Sequence, residues 1–109
     1  MLYYQFAVSP TPQHEDFDRL GYGIASVMIR AEKFEIETAT ARAAEYLASE
    51  GWQIAEVRQA RFADSTESTF QNDETLASLH ATATEQGIAA IVIAPGAGIY
   101  HLGTSSVAA

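Results

Sequence analysis

The segment Thr84–Ala94, TEQGIAAIVIA, decides the fold. It ends a helical pattern on Gly87 and passes at once into an apolar, largely β-branched run. A glycine just past a helix end takes the left-handed conformation that stops the helix. Ile88–Ala94 keeps no polar residue for solvent, which is the pattern of a strand buried on both faces. The same punctuation occurs at residues 48–57, ASEGWQIAEV, where Gly51 ends a helix and Trp52 opens a strand. Two helix–glycine–strand units in one short chain specify helices and strands in alternation.

Upstream of each glycine the helical period is readable. Over residues 36–50, Ile36, Ala39, Ala43 and Leu47 fall on one stripe flanked by Tyr46, with Arg42, Glu45 and Ser49 opposite. Thr38 is a candidate N-cap, and Gly51 should bring Trp52 back onto Leu47. Over residues 73–86, Leu76, Leu79 and Ala83 form the apolar stripe. Asn72 is the expected N-cap, with Asp73 and Glu74 complementing the helix dipole.

Outside these units, Leu2, Tyr4, Phe6 and Val8 alternate along an N-terminal strand that Ser9-Pro10-Thr11-Pro12 stops. Residues 14–23 form a loop. A second strand starts at Ile24, with Ala25, Val27, Ile29 and Ala31 on one face. The strand from Trp52 to Ala63 slips in phase, because Ile54 and Phe62 share a parity that Val57 does not. A bulge near Val57–Gln59 would reconcile them. Asp64–Phe70 is a polar connection, Pro95–Gly98 a turn, and Ile99–Leu102 a short returning edge strand.

The expected order is therefore β-β-α-β-α-β with a final short strand. This is an α+β two-layer sandwich, a mixed sheet of four to five strands with two helices on one face. The plan resembles the ferredoxin-like arrangement, with one strand instead of two between its helices. Residues 1–102 form a single domain and 103–109 a flexible tail.

Composition narrows function. Six Lys and Arg against fourteen Asp and Glu give a net charge of −8, the wrong sign for a nucleic-acid footprint. With no cysteine there is neither a disulfide framework nor a thiolate metal site. No apolar run reaches the ~18 residues of a membrane span, and the N-terminus lacks a basic region and a cleavage site. The expectation is a cytoplasmic protein with no nucleic-acid or membrane partner, no cofactor and no metal.

Several residues are candidate sites. His14-Glu15-Asp16-Phe17-Asp18 is dense in oxygen ligands but lacks the calcium-loop spacing, and reads as a solvated acidic loop. His80 borders the second helix's apolar stripe as a packing residue or a general base. Tyr100 and His101 follow the Pro95–Gly98 turn and could line a pocket mouth. That turn leads into no helix, so a hairpin accounts for it without a phosphate. Glu32, Glu35 and Glu37 read as the solvated entry to a helix, and no serine sits in a nucleophile elbow. Tyr3 and Trp52, placed on a sheet face without helices, would form an apolar patch of the kind that marks an interface.

Two functions follow as expectations. One is a non-catalytic regulatory or accessory module that works through homo-oligomerisation, as a dimer, and through protein–protein binding. A basic protein would be the natural partner for its acidic surface. The other is a ligand-binding protein or enzyme with a pocket between helices and sheet, using His80 or His101 with tyrosines.

Overall fold

The computed structural model describes residues 1–14, 16–31, 35–62, 73–96 and 98–102. The elements run β1 (Leu2–Pro10), β2 (Gly23–Ile29), α1 (Ile36–Ser49), β3 (Trp52–Phe62), α2 (Glu74–Gln86), β4 (Ile88–Ala94) and β5 (Gly98–Leu102). The α+β class agrees with the sequence, and the order of the described elements is compatible with the expected one. The tail 103–109 and the connection 64–70 lie outside the described residues.

The five strands form one sheet in the order β3-β1-β2-β4-β5. Each neighbouring pair is antiparallel, which corrects the expected mixed sheet. The N-terminal strand is interior, second from the β3 edge, and both helical connections cross over neighbouring strands. β2 and β3 flank β1, and the connection through α2 carries the chain from the β3 edge past β1 and β2 to β4.

The helices lie on opposite faces, a second correction. Leu2, Tyr4, Phe6 and Val8 of β1 share a core with Ala39, Ala43 and Leu47 of α1. The intervening Tyr3 packs in a separate cluster with Met28, Ala89, Ile91 and with Leu79 and Ala83 of α2. Successive strand side chains point to opposite faces, so the two clusters sit on either side of one sheet. The physical reason is β4. A fully apolar strand needs cover on both sides, and two helices on one side would leave Ala89 and Ile91 in water. Each β4 residue from Ala89 to Val92 is buried.

The larger core is tied down by Tyr4. Its hydroxyl lies 2.5 Å from Thr40 Oγ1 and donates to Ile36 O at 3.3 Å, which fixes α1 over β1. Ile36 itself, placed in the apolar stripe by its period, is exposed. Gly51 has φ +88° and its N–H donates to Ala48 O, and Leu47 and Trp52 meet in the core as the glycine stop implies.

β3 contains two register shifts against β1, one between the partners of Gln5 and Phe6 and one between those of Ala7 and Val8. The first is the expected irregularity at 57–59. A single bulge cannot align three residues at positions 54, 57 and 62, because each odd interval needs its own extra residue. With two bulges, Ile54, Val57 and Phe62 stand opposite Val8, Phe6 and Leu2, all on the α1 face.

The N-cap of α2 is Asp73; the expected cap, Asn72, lies outside the described residues. Asp73 Oδ1 accepts from the N–H groups of Thr75 (2.9 Å) and Leu76 (3.2 Å), satisfying two of the helix's orphan donors. Asp73→Ala should cost about 0.5–2 kcal/mol. Urea unfolding of the variant checks this, and unchanged stability would mean the cap contributes nothing. At the start of α1, Thr38 lies inside the helix, and the capping residue Glu35 makes no side-chain cap bond.

Candidate functional site

Three parts of the molecule were singled out by sequence: the aromatic pair Tyr3 and Trp52, His80, and Tyr100 with His101. The fold separates them. Tyr3 and Trp52 are both buried, on opposite faces, so the exposed aromatic patch expected of them does not form. Tyr3 packs beneath α2 with the Arg61 guanidinium 5.6 Å from its ring centre. His80 is half-buried on α2 with Nδ1 3.5 Å from Thr84 Oγ1.

Trp52 and Tyr100 do come together, around a residue that sequence reading placed in solvent. His14 is buried, at 8% exposure. Its ring meets Trp52 edge-on with centroids 4.8 Å apart and Tyr100 at 5.4 Å, while Trp52 and Tyr100 are 5.6 Å apart. Such tilted pairs place the positive edge of one ring against the negative face of the next. The β1–β2 loop delivers His14 by two backbone bonds, Thr11 N–H to Gly51 O at 2.8 Å and His14 N–H to Thr11 O at 2.9 Å. His14 Nδ1 accepts from the Asp16 N–H at 3.0 Å, which assigns the proton of a neutral ring to Nε2.

Asp16 completes the group. Its carboxylate accepts from Arg19 Nη2 at 2.6 Å and from the Tyr100 hydroxyl at 3.0 Å. These bonds, Arg19 first and Tyr100 second, hold the Asp16 carboxyl below the ordinary carboxylate range. The acidic loop is therefore a clamp that fixes Tyr100 of β5 to the β1–β2 loop. Among the described residues no group of three or more His, Asp or Glu is placed to hold a metal ion. The buried Trp52 Nε1 and Thr11 Oγ1 have no hydrogen-bond partner among the described residues.

Two cavities flank the β5 edge. One, of about 420 Å³, lies on the α1 face beside the aromatic group and the end of α1, with Ser49, Glu50, Gly51 and Gln13 in its wall. The other, of about 250 Å³, lies on the α2 face between that helix and β4–β5, walled by Glu74, Thr75, Ser78, Thr82 and Leu79. His101 and Leu102 line both. His101 thus reaches a space between helix and sheet, and His80 does not line it.

A further surface was not anticipated. Beyond the reach of α2, Ala7, Ile24, Ile93 and Ile99 stand in register across four adjacent strands on the α2 face. Ile93 and Ile99 are 47% and 54% exposed. β1, β2, β4 and β5 contain no Asp, Glu, Lys or Arg at all. Known proteins give no guide here: no family model, no curated protein and no solved structure matches the chain. The period-two pattern contained the isoleucines, but only the strand order reveals that they form one row.

Proposed function

We propose that this chain is an interaction module rather than an enzyme, acting as a homodimer and binding a further protein. The observation that carries the reading is the apolar row Ala7–Ile24–Ile93–Ile99, half-buried at Ala7 and Ile24 and exposed at Ile93 and Ile99. β-Branched side chains on a sheet are stiff and lose little entropy on contact. The occupant of this face is a second copy. Two chains of charge −8 repel except where carboxylates are absent, and the four strands carrying the row hold none. Flat sheet faces pack on one another about 10 Å apart in this manner.

Analytical ultracentrifugation tests the reading. The wild-type chain should sediment at twice its single-chain mass, and Ile93→Asp at the single-chain mass with an unchanged melting curve. The position is half exposed, so its folded state tolerates the charge that a buried contact does not. A wild-type monomer at the highest soluble concentration would end the proposal.

A second reading, a small-ligand pocket, has support in the α2-face cavity with His101 opposite the hydroxyls of Thr75, Ser78 and Thr82. Binding there would survive Ile93→Asp, which separates the two readings.

A further inference from the structure

The 420 Å³ cavity on the α1 face has a polar side that the clamp between Asp16 and Tyr100 leaves unused. His14 is 8% exposed, and its Nδ1 is occupied by the Asp16 N–H. The proton of the neutral ring therefore stands on Nε2, a donor with no partner among the described residues. The ring's orientation places that donor. Its Cδ2, the atom bonded to Nε2, lies against Gly51, where a Cβ would come within 2.9 Å. Nε2 thus stands on the side of the α1 end, away from its own loop, and His14 and Gly51 both line the cavity. The buried polar atoms without partners include Thr11 Oγ1 and Trp52 Nε1 but not His14 Nε2, which therefore still reaches open space. Few polar groups on a largely buried side chain go unpaired, and one in a cavity wall is a binding group.

The residue beside Gly51 supplies the complementary group. Glu50 is half-buried, lines the same cavity, and has no ion pair or side-chain hydrogen bond among the described residues. Its carboxylate accepts hydrogen bonds and cannot donate them. The last turn of α1 carries no basic residue, so the negative end of the helix adds to this charge. Among the described residues no Lys or Arg lines the cavity, and the resulting field repels anions. The other wall is made of rings, Trp52 and Tyr100 tilted on His14. Rings favour a planar ligand, and a donor beside an acceptor matches an acceptor beside a donor.

We propose that this cavity binds an uncharged, amino-substituted nitrogen heterocycle of the nucleobase type. A ring nitrogen accepts from His14 Nε2–H, and the adjacent exocyclic amino group donates to the Glu50 carboxylate, the pairing that the N7–N6 edge of adenine offers. The volume of about 420 Å³ falls in the ordinary range of small-molecule sites, about 300–1,000 Å³. The site lies apart from the isoleucine row and goes beyond the reading of the chain as an interaction module, so either idea can fail without the other.

Calorimetric titration of the full chain with adenine, purine, hypoxanthine and benzoate tests this. Trp52, the sole tryptophan, lines the cavity and reports its occupancy by fluorescence. Adenine should bind at a single site per chain and change Trp52 emission. Purine lacks the amino donor and hypoxanthine has a carbonyl in its place. Each should bind about tenfold more weakly or less, the share of one charge-assisted hydrogen bond. Benzoate should not bind. Glu50→Gln should weaken adenine about fivefold and narrow its preference over purine, with an unchanged melting curve. His14→Phe keeps a ring against Trp52 and should weaken adenine and purine alike, by about fivefold. If that variant does not fold, the selectivity of Glu50→Gln decides alone. Ile93→Asp should leave adenine binding as it is. No adenine binding at millimolar concentration would overturn the inference. So would equal binding of adenine and purine, which reduces the effect to stacking, or an unchanged preference in Glu50→Gln. Heat without a change in Trp52 emission would place the ligand elsewhere and overturn it equally.

Discussion

Trp52→Ala is expected to destabilise the fold by about 3–5 kcal/mol, the range for emptying a large aromatic site. A domain of this size holds only about 5–15 kcal/mol in total, so the variant should be partly unfolded at physiological temperature. Trp52 is fully buried and opens β3 opposite Pro10, where the α1 core meets the β1–β2 loop. Its removal withdraws a partner from both His14 and Tyr100 and leaves a void that the sheet cannot close. Part of the loss is returned, because the indole N–H has no partner among the described residues and alanine removes that burden. Trp52→Phe should therefore recover most of the stability. Urea unfolding followed by circular dichroism measures both, since fluorescence is lost with the only tryptophan. A cost below about 1 kcal/mol for the alanine variant would contradict this account of the core.

The second large effect is expected at Gly51. Its φ of +88° disfavours any side chain, at about 1–2 kcal/mol. A Cβ there would also lie 2.9 Å from His14 Cδ2, closer than real Cβ contacts come, and 3.1 Å from His14 Cα, tighter than most of them. Overpacking of this kind costs about 1–3 kcal/mol, giving about 2–5 kcal/mol for Gly51→Ala. Gly87 is an internal control. It has nearly the same φ, +93°, and ends α2 as Gly51 ends α1, but the nearest atom to its Cβ would be Arg42 Nη2 at 3.7 Å. Gly87→Ala should lose the conformational share alone. If both variants melt together, the loop does not press on Gly51 as the geometry requires.

Much of this architecture was legible in the sequence because its signals are local. The stops at Gly51 and Gly87, the stripes Ala39–Ala43–Leu47 and Leu79–Ala83, and the phase slip in β3 each depend on residues a few positions apart. Helix placement depends on distant pairing, and there the one-faced expectation was wrong. The contrary signal was present in Ile88–Ala94, whose lack of any polar residue already required shelter on both sides. The site was less legible. His14, the buried partner of Trp52 and Tyr100, follows a proline-rich turn and precedes acidic residues, a local context that reads as solvent. What buries it is the closeness of residue 51, some forty positions away. Tyr100 was found because it follows a turn after a buried strand, but its tie to Asp16 spans most of the chain.

The short β5 also has a protective meaning. Ile88–Ala94 is the most amyloid-competent stretch of the chain, uncharged, β-branched and without proline. β2 guards one of its margins and, among the described residues, the five of β5 guard the other, reaching from Ala90 to Ala94. The clamp from Asp16 to Tyr100 therefore does more than fix a loop. Loss of the Tyr100–Asp16 bond is expected to loosen that last ribbon and open the margin of these seven residues to strand pairing.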